Sequence, residues 1–369
     1  MRALVVTNSV SNGNLSGGVE VVSKLHLQAL LEVGISCDLL ALDRNSDFNS
    51  LNPLNGFMLP KARRILWNRR LGYFSLKFMR ILWRNLSSYD VVHIHLCKDF
   101  VTMIALLLCR FSHTAFVIQT HGMFLREDRL IDQIFNWIGK KLSSHSSFHL
   151  VLTDSEDKWF AKKNWQTKRI KIRNPVMVPR AEEWSTYKSY DVCFLSRFHA
   201  RKRPLMLIEA AKILKGLGFS LRIRMAGSDE GEWDMCEGKI REYGLEDCID
   251  LSKQISSEDI FGILKVSRLM VLPSYSEFVP MIILESLARG VPVICGRDCE
   301  LAQELNSYGI CSLVDDPAEL ADSILKLLAK NSNYEEIAHA GFKWVSSNCT
   351  LNDFATELEH FYTNSIFRK

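Results

Sequence analysis

Residues 2–42 read RALVVTNSVSNGNLSGGVEVVSKLHLQALLEVGISCDLLAL, and this opening stretch decides the fold class. An apolar run at 2–8 predicts a buried strand, and the polar, glycine-bearing residues Ser11–Gly18 predict a loop. Apolar residues then recur at helical spacing from Val19 to Val33. A second apolar run at 35–42 completes a strand–helix–strand unit, which predicts a parallel sheet covered by helices.

The same alternation continues along the chain, with one interruption near 174–189. Two prolines break the pattern there, because each proline biases the preceding residue away from helix, so we predict an interdomain linker. Before the linker, the predicted strands are Asp90–Leu96, Thr114–Gln119 and Ser147–Leu152, with helices near 99–111, 128–144 and 155–163. After it, strands are predicted near 190–195, 220–226, 248–251, 268–272, 291–295 and 310–314, and closing helices near 317–330, 333–347 and 351–364. The sequence therefore predicts an α/β fold with two doubly wound domains, which bind ligands at the carboxyl ends of their strands.

Composition and charge limit the class of protein. A length of 369 residues suits two α/β domains, and 47% hydrophobic with 24% charged residues is typical of a globular protein. No run of 18 apolar residues is present, so no membrane-spanning helix is expected. The ten cysteines include no Cys-x-x-Cys pair, which argues against a zinc finger and favours a reducing cytoplasm. The front half is net basic and the back half net acidic, which suggests different partners for the two domains.

Residues 274–294 read SYSEFVPMIILESLARGVPVI and hold the densest functional pattern. Glu277 lies in the polar loop after a predicted strand, and Glu285 lies about one turn into a helix that begins near Pro280 or Met281. The free amides and positive dipole end of a helix N-terminus favour a phosphate. Two glutamates at this spacing also occur by chance in helical proteins, so the pattern alone assigns no site.

Four cations directly follow the first strand of the second domain, namely Arg197, Arg201, Lys202 and Arg203. Arginine offers a planar fork to phosphate oxygens, and lysine offers a mobile point charge. A solvated loop is the alternative interpretation of these cations. Because the cations and the two glutamates occupy loops at the carboxyl edge of one predicted sheet, we interpret them together as a diphosphate-binding site.

These residues resemble the family-4 retaining glycosyltransferases of GT-B fold. That family has an Arg with a Lys five positions on, followed by a Glu-x7-Glu motif, and Arg197 with Lys202 and Glu277 with Glu285 match this spacing. Gly309–Leu320 is also similar to the segment that follows the motif. The resemblance implies two Rossmann-like domains that face a central cleft. It divides the chain into an acceptor-binding domain at 1–175, a nucleotide-sugar-binding domain at 176–350 and a C-terminal helix at 351–369 that packs back toward the first domain.

The resemblance also implies roles for individual residues. Arg197 and Lys202 would bind the donor diphosphate, Glu285 the ribose hydroxyls and Glu277 hydroxyls of the donor sugar. The implied catalytic residues are His121, Glu277, Arg197 and Lys202. The implied donor-binding residues are Gly17, Gly18, Arg197, Lys202, Glu277, Val279, Pro280, Met281, Ile282 and Glu285. No Asp-x-Asp motif is present, so we expect no metal and no cofactor, with a UDP- or GDP-linked sugar as donor substrate.

The histidine and glycine signals of the first half are weaker by themselves. Without the resemblance, Gly17-Gly18 would be interpreted as a flexible loop. His121, at a strand end, would be interpreted as a helix cap or a core histidine. His93 and His95 share one strand face, but a metal site needs further ligands and none is evident in the sequence. We therefore interpret that pair as structural.

Residues 48–89 contain no acidic residue and mix cations with large apolar side chains. That composition is typical of an element lying on anionic lipid, where each cation contributes on the order of 1 kcal/mol. The alternative is an amphipathic helix packed on the sheet with a solvated basic face. Nucleic acid is disfavoured because no recognised binding motif accompanies the charge. The candidate membrane or acceptor residues are Arg63, Arg64, Trp67, Arg69, Arg70, Lys77, Arg80, Trp83 and Arg84.

The expected function follows from these signals taken together. We expect metal-independent, retaining transfer of a sugar from a nucleotide-sugar to a saccharide or lipid-linked saccharide acceptor. The basic front half suggests bacterial surface polysaccharide synthesis (O antigen, capsule or lipopolysaccharide), in the cytoplasm on the inner face of an anionic membrane. A nucleotide-sugar epimerase of the same fold and a non-catalytic, membrane-associated scaffold remain as alternatives.

Overall fold

The computed structural model describes residues 1–10, 17–43, 57–58, 60, 63–64, 73–125, 127, 129–180, 184, 187–253 and 255–366. The chain forms two compact units. Unit 1 contains the described residues up to Pro175 together with those from Leu351 onward, and unit 2 contains Val176–Thr350. No helix within the described ranges is both long and apolar enough to cross a bilayer.

Unit 1 is built around a seven-stranded parallel sheet in the order β3-β2-β1-β6-β7-β8-β9. Its strands are β1 Arg2–Val10, β2 Ser36–Asp43, β3 Phe57–Met58, β6 Val91–His95, β7 Ala115–Gln119, β8 Phe148–Val151 and β9 Arg169–Lys171. An antiparallel pair lies apart from it, β4 Arg63–Arg64 with β5 Tyr73–Phe74. The helices before the linker are α1 Gly18–Glu32, α2 Leu76–Asn85, α3 Phe100–Arg110, α4 Leu130–Ser143 and α5 Asp154–Lys162.

Unit 2 is a six-stranded parallel sheet in the order β12-β11-β10-β13-β14-β15. Its strands are β10 Tyr190–Leu195, β11 Ile223–Ala226, β12 Ile249–Ser252, β13 Ser267–Leu272, β14 Val293–Gly296 and β15 Cys311–Val314. Its helices are α6 Pro204–Gly216, α7 Trp233–Glu242, α8 Ser257–Lys265, α9 Met281–Leu287, α10 Glu300–Ser307, α11 Pro317–Leu328 and α12 Tyr334–Asn348.

The last helix, α13 (Leu351–Ile366), belongs to unit 1 and packs on α1. Phe354, Leu358 and Tyr362 repeat at helical spacing and are buried with α1 on one face of the sheet. The opposite face is covered by α2, α3 and α4, which pack their inward side chains into a second apolar cluster. Unit 1 therefore has helices on both faces, and its core includes the end of the chain.

The prediction of two doubly wound parallel domains is confirmed. The sequence interpretation missed the edge strand β9, because its Arg169 and Lys171 interrupt the apolar run that marks a buried strand. In each sheet the strand order reverses at one point, between β1 and β6 in unit 1 and between β10 and β13 in unit 2. Open α/β sheets bind ligands beside such reversals, outside the carboxyl ends of the strands.

Candidate active site

The loop after β10 holds Lys202 in a nearly buried position. Residues Ala200–Lys202 form a single turn of 3-10 helix, which His199 caps by accepting a hydrogen bond from Arg201 N through Nδ1. Arg203 follows in the left-handed region at φ 52°, and Pro204 then begins α6 at the position where proline costs no hydrogen bond. The turn directs Lys202 inward, so its side chain is only 11% exposed.

Lys202 forms an ion pair with Glu277, which lies in the loop after β13. Lys202 Nζ lies 2.8 Å from Glu277 Oε1, and Arg201 Nε lies 3.5 Å from the same oxygen. Glu277 Oε1 and Arg201 Nε are nevertheless both buried without an aligned hydrogen-bonding partner among the described residues, so the contact is an ion pair by distance. Burial lowers the pKa of Lys202, and the Glu277 carboxylate partly offsets that effect. Two cations and one carboxylate thus share one nearly buried site.

Two glycines allow these loops to lie close to the neighbouring strands. A side chain at Gly227, at the end of β11, would collide with Ser196 O, and one at Gly296, at the end of β14, would collide with Ser274 O. The backbone of the Glu277 loop is further tied to α10, because Glu300 N donates to Glu277 O at 3.0 Å. Close approach of backbone to backbone therefore sets the position of both loops.

Glu285 is a buried carboxylate on α9, with only 8% of the residue exposed. Burial raises its pKa to about 7, against a smaller lowering by Arg289. The Arg289 guanidinium donates to the Glu285 carbonyl oxygen at 2.9 Å and stacks over the Phe261 ring. Within the described part of the chain, no hydrogen bond reaches the Glu285 carboxylate, so it is available to ligand hydroxyls. Its helix begins at Met281 after Pro280, and no side chain caps that terminus.

The other two cations of the predicted cluster are engaged elsewhere. Arg197 Nη1 contacts both carboxylate oxygens of Glu230, at 2.7 and 2.8 Å, and its side chain is 41% exposed. Arg203 donates to Asp315 O at 2.6 Å and lies over the Tyr275 ring. The structure therefore brings Arg201 and Lys202 to Glu277 but pairs Arg197 with Glu230, a partner that the sequence did not indicate because it lies in a different loop.

His121 of unit 1 lies in a turn after β7, where the backbone has an unusual conformation. His121 has φ 52° and Gly122 has φ 71°, so two successive residues are left-handed. Glu156, buried in the first turn of α5, accepts from Thr120 Oγ1 at 2.6 Å and from Gly122 N at 2.7 Å. The clamp by Glu156 was missed from the sequence, although Thr153-x-x-Glu156 matches a helix-capping pattern.

A row of buried histidines connects His121 to the last helix, and we call it the histidine chain. His121 Nε2 lies 2.7 Å from His95 Nδ1, and His95 Nε2 lies 3.1 Å from His26 Nδ1. Tyr362 Oη lies 2.7 Å from His26 Nε2 and 2.8 Å from His93 Nδ1. His121 is partly exposed, whereas the other four residues are fully buried.

The histidine chain corrects the expectation that His93 and His95 have no further ligand-type neighbour. His26 joins them, and one nitrogen of each of the three lies within 4.8 Å of the others. Nitrogen ligands of a tetrahedral zinc ion, at about 2.0–2.1 Å from the metal, lie only about 3.3 Å apart. The observed spread and the continuous hydrogen bonding fit a polar network better than a closed metal site. His26 was missed because it lies on α1, distant in sequence from β6.

The remaining candidate residues occupy separate places. Gly17 caps α1 in an extended conformation with open space where a side chain would be, and Gly18 begins that helix. Trp67, Arg69 and Arg70 lie outside the described residues, and of Arg63 and Arg64 only the backbone pairing in β4 is described. The exposed candidates on α2 are Lys77, Arg80, Trp83 and Arg84. Val279 and Ile282 flank Pro280 and Met281 at the start of α9.

Comparison with known proteins agrees with this architecture. Residues 16–175 match the family described as Glycosyltransferase Family 4, and residues 180–344 match the family described as Glycosyl transferases group 1. Together the two family models cover most of the chain. The protein therefore belongs to the family-4 glycosyltransferases, and its fold is GT-B.

Individual relatives are distant. The chain is 25% identical over 193 residues to D-inositol 3-phosphate glycosyltransferase of Corynebacterium jeikeium, covering 48% of this chain and 46% of the relative. It is 22% identical over 282 residues to an Escherichia coli UDP-Gal:alpha-D-GlcNAc-diphosphoundecaprenol alpha-1,3-galactosyltransferase, covering 66% and 70%. The chain thus spans less than half the length of the D-inositol 3-phosphate glycosyltransferases that it matches.

Two solved structures share the fold across the whole chain. Sucrose-phosphate synthase of Thermosynechococcus elongatus superimposes with a TM-score of 0.74 at 16% identity, over 100% of both chains. HepE of Anabaena, solved with UDP and glucose, superimposes with a TM-score of 0.74 at 15% identity, over 98% of this chain and 99% of its own. At such low identity these likenesses describe the fold.

Proposed function

We propose that the protein transfers a sugar, with retention of anomeric configuration and without a metal ion, from a nucleotide-sugar to a saccharide or lipid-linked saccharide. The observation that carries the proposal is the Lys202–Glu277 pair, 2.8 Å apart and nearly buried beside the strand-order reversal of unit 2. Buried charge is expensive to maintain. A nearly buried site that holds two cations and one carboxylate is suited to a ligand that carries phosphate and hydroxyl groups.

Each side chain of this pocket has a role in the proposed donor complex. Lys202 and Arg201 bind the diphosphate, where departure of the nucleotide concentrates negative charge in the transition state. Arg197 joins them when a phosphate displaces its exposed contact with Glu230, an exchange that costs little because exposed ion pairs are weak. Glu277, freed from its cations by the phosphate, accepts hydrogen bonds from sugar hydroxyls.

Glu285 is proposed to bind the nucleotide ribose. Its carboxylate is buried and has no partner among the described residues, so two vicinal hydroxyls supply the hydrogen bonds that the protein does not. The amides at the start of α9 and the Gly17–Gly18 backbone are proposed to contact donor phosphates, as in the family that the chain resembles. His121 is proposed to contact the donor sugar.

Retention follows, in this proposal, from attack by the acceptor hydroxyl on the face that the diphosphate leaves. The leaving phosphate accepts the proton from the acceptor, and Lys202 and Arg201 stabilise the charge that remains. No carboxylate of this chain is assigned as a covalent nucleophile. The absence of an Asp-x-Asp motif and the presence of these two cations support a metal-independent reaction.

The test is a thermal-shift screen against UDP, GDP, ADP and their sugars, followed by turnover assays with the stabilising donor. We expect Lys202→Ala, Glu277→Ala and Glu285→Ala to lose at least 100-fold in kcat/KM while remaining folded, because a preorganised charge contributes about 3–4 kcal/mol to the transition state. Lys326→Ala, which removes an exposed lysine of α11, is the matched control. Turnover at the control's rate in Lys202→Ala and Glu285→Ala would remove the basis of the proposal.

We further propose that unit 1 binds an anionic membrane surface through α2, α3 and α4. Phe78 and Leu82 anchor α2 in the core, while its cations and Trp83 remain outside. The neighbouring helices add a row of exposed apolar side chains that the sequence interpretation had not included. The exposed apolar residues of this surface are Leu76, Trp83, Phe100, Leu107, Phe111, Leu130, Ile131, Ile134 and Trp137.

Charge complementarity supports anionic lipid as the proposed occupant of this surface. Lys77, Arg80 and Arg84 on α2 and Lys140 and Lys141 on α4 lie among the exposed apolar residues. An exposed apolar patch rimmed with cations is typical of an interfacial element. This surface supports a lipid-linked acceptor and a role in bacterial surface polysaccharide synthesis at the inner face of the cytoplasmic membrane.

A further inference from the structure

The histidine chain has few possible arrangements of its hydrogens. Burial lowers the pKa of His26, His93, His95 and His121 and raises that of Tyr362, so all five groups are neutral near pH 7. A neutral imidazole has one N–H and one bare nitrogen, and a phenol has one O–H. Each of the four contacts needs one hydrogen, so one of the five hydrogens is left over. It could stay on Tyr362 Oη only if that oxygen accepted from both His26 and His93, and this buried O–H would then have no acceptor among the described contacts. The left-over hydrogen therefore belongs to one end of the chain. It lies on His93 Nε2 or on His121 Nδ1.

The environment of His93 decides between the two ends. His93 Nε2 and Gln119 Oε1 are both buried and have no aligned hydrogen-bonding partner among the described residues. The Gln119 side chain raises the pKa of His93, which is the effect of an acceptor beside a ring N–H. Gln119 Nε2 donates to Asn174 Oδ1 at 3.4 Å, so its oxygen is the atom left for His93. A hydrogen on His93 Nε2 offers a donor to the nearby Gln119 oxygen, whereas a bare nitrogen there would leave two buried acceptors and no donor.

We propose that the histidine chain holds His121 as the Nε2–H tautomer and leaves its Nδ1 as a hydrogen-bond acceptor for a hydroxyl of the donor sugar. In this order His121 donates to His95, His95 to His26, His26 to Tyr362 and Tyr362 to His93. The sugar contact rests on the proposed function, whereas the tautomer does not. His95, His26, His93 and Tyr362 are positioning residues, since they act on the sugar only through His121.

Two independent constraints then act on His121. The Glu156 clamp on Thr120 and Gly122 holds its backbone, and the 2.7 Å contact with His95 holds its ring. An imidazole free to exchange tautomers would present a donor at Nδ1 in part of its population, whereas the histidine chain leaves Nδ1 as an acceptor. The assignment also gives α13 a function beyond packing, because Tyr362 from that helix closes the link between His26 and His93.

The tautomer is measured directly by long-range proton–nitrogen NMR on full-length protein labelled with 15N-histidine, with His121→Gln used to identify the His121 signals. We expect His121 in the wild type to show a protonated Nε2 and a bare Nδ1 at pH 7. In Tyr362→Phe the order is no longer enforced, and we expect a mixture of tautomers at His121. With the donor found above, kcat should fall in proportion to the fraction of His121 that carries its hydrogen on Nδ1, about twofold for an equal mixture.

Tyr89→Phe is the matched control, because it removes a phenol of the same unit that donates to Asp38, outside the histidine chain. It should leave the His121 signals and kcat unchanged. His26→Gln repeats the test if Tyr362→Phe fails to fold, and it should also mix the His121 tautomers. A wild-type His121 protonated on Nδ1 or on both nitrogens would overturn the proposal, as would an unchanged tautomer in both variants.

Further measurements separate this proposal from its alternatives. One equivalent of zinc in the purified protein that is lost in His93→Ala would overturn it, since a metal would occupy the nitrogens that carry the hydrogen bonds. Protein that turns over no donor but shows the expected His121 signals would support the histidine chain and contradict the proposed function. Protein that transfers sugar but has His121 protonated on Nδ1 would support the proposed function and contradict the order of hydrogen bonds in the histidine chain.

Discussion

At the scale of single residues, Glu285 combines burial, an open carboxylate and a pKa of about 7. The ionised carboxylate is the form that accepts hydrogen bonds from two hydroxyls, so ligand binding favours ionisation. We expect affinity for the stabilising nucleotide-sugar to rise up to about tenfold between pH 6 and pH 8, an interval centred on that pKa. Calorimetry over this range is the measurement.

The control for this pH dependence is Glu285→Gln, whose amide does not titrate. It should bind the donor more weakly and with a flat pH profile. The intact diphosphate diester of a nucleotide-sugar has no ionisation in this interval, which is why it is preferred to a free nucleotide diphosphate as ligand. An equally steep pH dependence in the variant would show that another group is responsible.

The same carboxylate is expected to destabilise the unliganded protein. Folding raises its pKa from 4.5 to about 7, so the folded state binds the proton more tightly than the unfolded chain. Stability therefore falls as the pH rises from below 4.5 to above 7, by about 3 kcal/mol at most. Urea unfolding should show Glu285→Gln to be more stable than the wild type at pH 8, with the difference much reduced at pH 5. A destabilised variant at pH 8 would contradict the burial argument.

At the scale of elements, the loops of the donor pocket depend on close backbone approach. Gly296→Ala places a side chain against Ser274 O, so the loop that carries Glu277 has to move. We expect a loss of about 1–3 kcal/mol in unfolding free energy, together with weaker donor binding. Gly238→Ala on α7 meets no atom within 4 Å and should stabilise by about 0.5–1 kcal/mol, since alanine favours helix. Equal effects of the two substitutions would mean that the loop position is not set at Gly296.

The helices α2 and α4 have a testable joint role at a membrane. Cosedimentation with phosphatidylglycerol vesicles should be strong at low salt and weak with phosphatidylcholine, because the surface combines cations with exposed apolar side chains. The Ile134→Ser, Trp137→Ala double variant and the Lys77→Gln, Arg80→Gln, Arg84→Gln triple variant should each reduce binding several-fold. Lys326→Ala of unit 2 is the control. Undiminished binding in both variants would place the lipid contact elsewhere.

At the scale of the whole molecule, unit 1 is completed by a helix from the far end of the chain. Leu358 of α13 is fully buried in the core that α1 also lines. Leu358→Ala should cost about 2–5 kcal/mol. Hydrogen exchange should show the loss in α1 and the unit 1 strands, while unit 2 keeps its protection. His360→Ala, on the exposed side of the same helix, should change stability by less than about 0.5 kcal/mol. Loss of protection confined to α13 would contradict this coupling.

The sequence by itself determined the fold class and most of the elements, with the edge strand β9 among those missed. Strand runs, helical spacing and the prolines near 174–189 are local signals, because each reports the burial or the backbone preference of adjacent residues. The order of strand and helix then left only a doubly wound parallel arrangement. The same local logic placed Glu277 in a loop and Glu285 on a helix, where the structure also places them.

Only the tertiary structure decided which polar side chains meet. Arg197 pairs with Glu230, Lys202 with Glu277 and His26 with both His95 and Tyr362. None of these partners is adjacent in sequence, and periodicity reports only whether a side chain faces the core. Hydrogen bonds and ion pairs are short-ranged and directional, so they exist only after strands and helices that are far apart in sequence have packed together.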